Sequence, residues 1–302
     1  RSFSRTGALP VRFRQIAGYL SDSFDVHILE LTYKAKAPVQ VDGITVHSLE
    51  YSRAGRIFNP EKSRSFSRAS AGRRSVRLMA IIKRQVRSLL FPDSVVTEAF
   101  RLRSEAVRIA REQGVRVVVL SAFPFSVLLC AGSLRKHTQV RIILDVGDPF
   151  YRNSTNSFAR DLLARCFERR HLKLIDNLVV SSDAVRLHYL NSYPFLIPDA
   201  VHTVAMGITQ SLLGERMDDH GFRDVSGINV PLRLVYAGQL YRKMREPFEL
   251  YRAVIQMNHF EDRKTVLELY GSFSREFSAG YENADAIRFM GPVEHDTIDM
   301  VY

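Results

Sequence analysis

Three glycines close three apolar, strand-like runs in the last third of this 302-residue chain: Gly238 after LVYA, Gly271 after LELY and Gly291 after IRFM. A glycine at the carboxyl end of a strand lets backbone N–H groups approach a phosphate closely. In open α/β sheets, ligands bind beyond those ends. Singly, each glycine reads more simply as a tight turn, but three in succession on one edge point to a nucleotide-binding rim. Just after Gly238, Arg242, Lys243 and Arg245 crowd the entry to a helix expected over residues 245–257. Cations at that end oppose the helix dipole, and a bound diphosphate would offset the cost. An ordinary solvated basic turn fits the same residues, and both readings stand at this point.

A second group follows the run VRIILD, where the chain reads Asp145-Val146-Gly147-Asp148-Pro149-Phe150. Two carboxylates beyond a buried strand could bind sugar hydroxyls, act as a base, or cap the next helix. For either one alone, capping or turn formation is the plainer reading. Their spacing is not a metal signature. His171 and His188 fall on expected helices as surface or core residues rather than ligands. Cys130 and Cys166 lack metal-ligand spacing, are too few for a disulfide framework, and read as reduced core residues. No G-x-G-x-x-G follows any strand, which disfavours a nicotinamide dehydrogenase.

These groups need a scaffold, and periodicity supplies it. Phe13, Ile16, Ala17 and Leu20 recur at helical spacing, with Pro10 suited to a first turn, and the strand DVHILEL follows. A helix over residues 95–112, stopped by Gly114, precedes the strand VRVVVL. Helix 124–136 then leads to VRIILD, helix 157–174 to NLVVSS, and helix 183–191 to VHTVAM. This alternation indicates an α/β fold with a parallel sheet covered on both faces, VRVVVL being expected to be buried on both sides. Residues 207–231 break the pattern with glycine, acid and a closing proline, and serve as a linker between a first domain, 1–206, and a partial second domain, 232–302. The alternation restarts there with RLVYAG, TVLELYG, IRFMG and a helix beginning near Glu294.

With 46% hydrophobic and 25% charged residues, the composition is that of a globular protein. No apolar run approaches the ~20 residues of a spanning helix, and RSFSRTGALP lacks the apolar core of a signal peptide, so a cytoplasmic chain is expected. Without an initiator Met, and stopping inside an expected helix, it reads as cut at both ends. The formal net charge of +11 calls for an acidic partner. Nine cations and no carboxylate lie between Glu61 and Asp93. Val76, Met79, Ile82 and Val86 give the part from Arg73 to Leu90 an apolar side flanked by arginines. Residues 62–90 could rest on an anionic membrane at its inner face, or bury that side within their own domain.

The run RLVYAGQLYRK…FELYRAV, followed by LELYGS and IRFMGPVEHDTIDMVY, resembles the start of the donor domain of group 1 (family 4) glycosyltransferases. FERRHLKLIDNLVVSSDAVRLHYL, VHTVAMGIT and LLFPD resemble further segments of that family in the same order. The resemblance implies the GT-B fold, two facing Rossmann-like domains, with retention of anomeric configuration, a nucleotide-sugar co-substrate and no metal. It implies that Arg242, Lys243 and Arg245 stabilise the departing diphosphate and that Asp148 lies near the sugar or acceptor. Gly7 matches the glycine loop over the donor phosphates. Gly238, Gly271 and Ser272 would approach the donor, and Pro292 and Val293 would face the base. Gln239 and Met206 depart from the family's arginine and asparagine. The chain also stops before the paired-glutamate segment that holds sugar and ribose, which implies weak transfer by the fragment alone.

The leading expectation is therefore a retaining glycosyltransferase serving a polysaccharide or lipid-linked acceptor. A nucleotide-sugar epimerase of the same fold is the alternative. A basic nucleic-acid-binding protein ranks lower, since no nucleic-acid module is recognisable.

Overall fold

The computed structural model describes residues 8–59, 89–154, 156–205, 231–241, 245–260, 264–281 and 284–293. Gly7, the basic segment 62–88, residues 207–230, Arg242, Lys243 and the helix expected from Glu294 lie outside the described residues. The chain divides into two compact units, Arg1–Gly207 and Ile208–Tyr302.

The first unit opens with α1 (Ala8–Ser21), β1 (Val26–Thr32), β2 (Val39–Val41), β3 (Ile44–Glu50) and α2 (Arg53–Phe58). β1 and β3 pair in parallel, and β2 returns antiparallel on β3. No strand was expected at 39–50. The hairpin forms because Asp42 and Gly43 both take positive φ, 51° and 77°, which a two-residue turn between twisted strands requires. On α1 the expected apolar stripe is rotated: Ala17 is buried, Leu20 is exposed and Arg12 faces inward.

A short 3-10 turn, Ser94–Glu98, leads into α3 (Ala99–Glu112). Its end is closed by Val115 N–H to the Ala110 carbonyl (3.0 Å) and Gly114 N–H to that of Arg111 (3.4 Å), a Schellman arrangement that satisfies the last carbonyls. Then follow β4 (Val117–Ser121), α4 (Leu129–His137), β5 (Arg141–Val146), α5 (Phe158–Leu172), β6 (Asn177–Val180), α6 (Asp183–Ser192) and β7 (Val201–Thr203). Ser157 and Ser182 cap α5 and α6 through their hydroxyls. The four strands are parallel in the order β4-β5-β6-β7.

The central strands carry the core. Ile142, Leu144, Val146, Leu178 and Val180 are almost wholly buried against Ala131 and Leu134 of α4. The expectation of two-sided burial fails for β4, which lies at the sheet's edge with Val117 and Val119 exposed. Its β-branched run signals a strand, but edge position decides what covers it. Cys130 is in the core, where burial pushes its thiol up to about 12, whereas Cys166 lies on the exposed side of α5 and is not the core residue expected.

The second unit comprises β8 (Leu232–Ala237), α7 (Phe248–Phe260), β9 (Thr265–Tyr270), α8 (Arg275–Ser278) and β10 (Ile287–Gly291). Its sheet is parallel, in the order β10-β9-β8. Tyr251 and Val254 of α7 pack on Leu267, Leu269 and Ile287 as a separate core.

Candidate functional site

Parallel pairing brings the carboxyl ends of β8, β9 and β10 side by side, and so it gathers the three glycines. Gly238 N–H donates to the Tyr270 carbonyl at 2.9 Å, and Gly271 N–H donates to the Gly291 carbonyl at 2.8 Å. A Cβ on Gly271 would lie 2.1 Å from the Gly238 carbonyl oxygen, so no side chain fits where the two strand ends touch. Ser272 follows Gly271 as an exposed residue. Exposed Pro292 and half-buried Val293 leave β10 on this same edge.

The segment leaving β8 differs from the expected helix entry. Tyr241 and Arg245 form an antiparallel bridge, closed by the Arg245 N–H at 2.8 Å, and α7 begins only at Phe248. Pro247 is the reason, because the residue before a proline is disfavoured in helical geometry. Exposed Arg245 therefore stands in a bridge with Tyr241 rather than in a first helical turn, which carries Glu249 instead. Tyr236 and Tyr241 donate to the Gln239 carbonyl (3.0 Å) and side chain (2.6 Å) just after β8.

An open depression of about 910 Å³ lies at the opposite, amino ends of these strands, beside Lys264, Asp285 and Arg288. The carboxyl edge is the better candidate despite that volume, since parallel strands present ligand-binding loops there.

In the first unit, the two aspartates after β5 take different roles. Asp145 is buried in a bidentate ion pair with Arg12, at 2.8 and 3.3 Å. Arg12 also donates to the carbonyls of Val204 (3.2 Å) and Ala205 (3.0 Å), tying α1 to the segment beyond β7. Asp145 is thus occupied, while Asp148 is exposed in the bend that follows. Ser181 holds that bend through the Gly147 carbonyl at 2.8 Å, and Phe150 anchors it by stacking on Phe125 at 4.3 Å.

Glu168 completes the support. It is 2% exposed and accepts from Phe150 N–H (3.0 Å), Tyr151 N–H (3.1 Å) and the hydroxyls of Tyr189 and Tyr193 (both 2.7 Å). Burial raises its pKa, and the four donors work against that shift. Arg12 is not singled out in the sequence, and Glu168 enters only through the resemblance of FERRHLK to a Glu-bearing helix, with no role assigned. A signal existed for Glu168, which shares the buried face of α5 with Ala164, His171 and Leu172 at helical spacing. His171 is buried on α5 and His188 half-buried on α6. Among the described residues no group of three His, Cys, Asp or Glu could hold a metal ion, and no helix is long and apolar enough to cross a membrane.

No protein-family model matches the chain, and no curated protein matches it. Solved structures do. One is the Escherichia coli structure described as trehalose-6-phosphate bound with UDP-2-fluoro glucose. It is similar with a TM-score of 0.62 at 13% identity, over 100% of this chain and 73% of that one. A trehalose-6-phosphate synthase studied with bisubstrate glycomimetics aligns with a TM-score of 0.60 at 14% identity, over 98% and 73% of the two chains. At this identity the likeness establishes the fold: mixed α/β, with parallel-sheet Rossmann-like units of the GT-B type.

Proposed function

We propose that the chain binds a nucleoside-diphosphate sugar at the carboxyl edge of β8, β9 and β10 and transfers the sugar, with retained configuration, to a glycan or lipid-linked acceptor. The observation that carries this reading is the convergence of Gly238, Gly271 and Gly291 on one strand edge, where Gly271 has no room for a side chain. The GT-B-type fold supports it, as does the UDP-sugar analogue described in a protein of similar fold.

In this proposal the anomeric carbon–oxygen bond breaks and negative charge grows on the leaving diphosphate. Backbone N–H groups at the glycines, with Arg242, Lys243 and Arg245, stabilise that charge without a metal. Loss of one such donor costs on the order of 3 kcal/mol in the transition state, roughly a hundred-fold in rate. Ser272, Pro292 and Val293 contact the donor, Gly7 approaches its phosphates, and Asp148 holds the sugar or the acceptor. A lipid-linked acceptor would be handled with residues 62–90 resting on an anionic membrane, at its cytoplasmic face.

Calorimetric titration with uridine and guanosine diphosphate sugars, in the presence of a chelator, tests the reading. Binding of one of them is expected, and silence at millimolar ligand would overturn it. Incubation with donor alone separates transfer from epimerisation: a free epimer formed without acceptor would reassign the chain as an epimerase.

A further inference from the structure

We propose that the first unit carries a separate phosphate-binding site, formed by the guanidinium groups of Arg152 and Arg165 at the ring of Tyr151. The site takes a phosphate group, free or borne on a small ester or a lipid headgroup. It does not depend on the donor reading above.

The platform is built before any ligand arrives. The Glu168 carboxylate holds the Tyr151 backbone from beneath (3.1 Å), and Tyr151 packs against Tyr193 with ring centres 6.4 Å apart. The next residue, Arg152, takes a left-handed backbone conformation (φ 61°), uncommon for a residue with a long side chain. Its N–H donates to Asp161 at 2.6 Å, which secures that turn. Arg152 is thereby folded back on the ring, its guanidinium carbon 5.5 Å from the ring centre. Arg165 reaches the same ring from α5, at 5.4 Å.

Both arginines are exposed, and neither guanidinium has an ion-pair partner among the described residues. This differs from Arg108, Arg135 and Arg233, each paired with a carboxylate. Of the nearby acids, Glu168 accepts four bonds, and Asp161 accepts the Arg152 N–H and the Asn156 side chain through Oδ1. With both guanidinium carbons within 5.5 Å of one ring centre, an anion with several acceptor oxygens suits them through charge-assisted bonds. A second observation comes from His188, whose ring centre is 6.0 Å from that of Tyr151. Its Nε2 is buried with no hydrogen-bond partner among the described residues.

The test follows arginine Nε–H and His188 ring signals by NMR in the full chain as inorganic phosphate is added. Saturable shifts at Arg152 and Arg165 are expected in the millimolar range. Arg152→Ala and Arg165→Ala should each weaken binding about ten-fold, whereas Arg169→Ala, an equal charge loss on an exposed site of α5, should leave it unchanged. Circular dichroism checks that the variants fold. Glycerol phosphate and vesicles containing phosphatidic acid then identify the source, by whichever loses binding in the two variants but not in Arg169→Ala. Absence of saturable shifts in the parent chain, or equal loss in Arg169→Ala, overturns the site. No nucleotide enters the experiment, so its failure leaves the donor reading intact, and the reverse holds.

Discussion

His27 and His47 face each other from β1 and β3, with Nδ1 of one 3.0 Å from Nε2 of the other. Across that contact one ring nitrogen donates and the other accepts, and Asp25 lies 3.2 Å from the other nitrogen of His27. Burial lowers the His47 pKa below 6.5, helped by His27 and by Arg108 of α3, while Glu105 and Glu112 oppose the shift. A histidine with a depressed folded pKa binds its proton more readily when unfolded. Stability therefore rises with pH through this range, and it is lost as pH falls through the unfolded value near 6.5. Denaturant midpoints taken at about pH 7.5 and about pH 5.5, on either side of the histidine range, should fall more in the parent chain than in His47→Gln. Equal falls would rule out this pair as the origin. Of the residues that do chemistry, types were legible in the sequence but partners were not. Asp145 and Asp148 look equivalent there, and only the fold shows Arg12 occupying one and leaving the other exposed.

At the scale of elements, periodicity located most helices and strands, because 3.6- and 2-residue repeats are local properties. It missed the β2–β3 hairpin, whose Asp-Gly turn joins the seven-residue β3 to a β2 of three residues, too short to show a repeat. It also began α7 three residues early, since the pattern of apolar residues outweighed the effect of Pro247. The glycine edge gives a sharp test at this scale. In Gly271→Ala the new methyl meets a backbone oxygen rather than a flexible side chain, so the strand ends must part. The expected loss is on the order of 1–3 kcal/mol of stability, with weaker binding of the nucleotide sugar in the calorimetric titration. An unchanged midpoint and unchanged binding would show that β8 and β9 do not need this close contact.

At the scale of the molecule, the hydrophobic clusters of the two units share no residue among the described residues: the first unit has one around β5 and β6 and a smaller one around Ile44 and Val46, and the second has one around β9. Each unit can melt by itself, because cooperativity within a domain comes from a shared core. Differential scanning calorimetry should show a thermogram that needs two transitions. A single transition with equal calorimetric and van't Hoff enthalpies would mean that the units unfold as one.

The sequence by itself determined the α/β class, the order of most elements and the three glycines that end neighbouring strands. These follow from short-range patterning, which each segment carries wherever it is placed. Only the tertiary structure decided that β4 is an edge strand, that Arg12 is buried against Asp145, that Glu168 supports the loop after β5, and that Arg152 and Arg165 meet at Tyr151. Those outcomes depend on contacts between residues far apart in the chain, and the free energy of burying or pairing a side chain is set by what surrounds it, not by what precedes it.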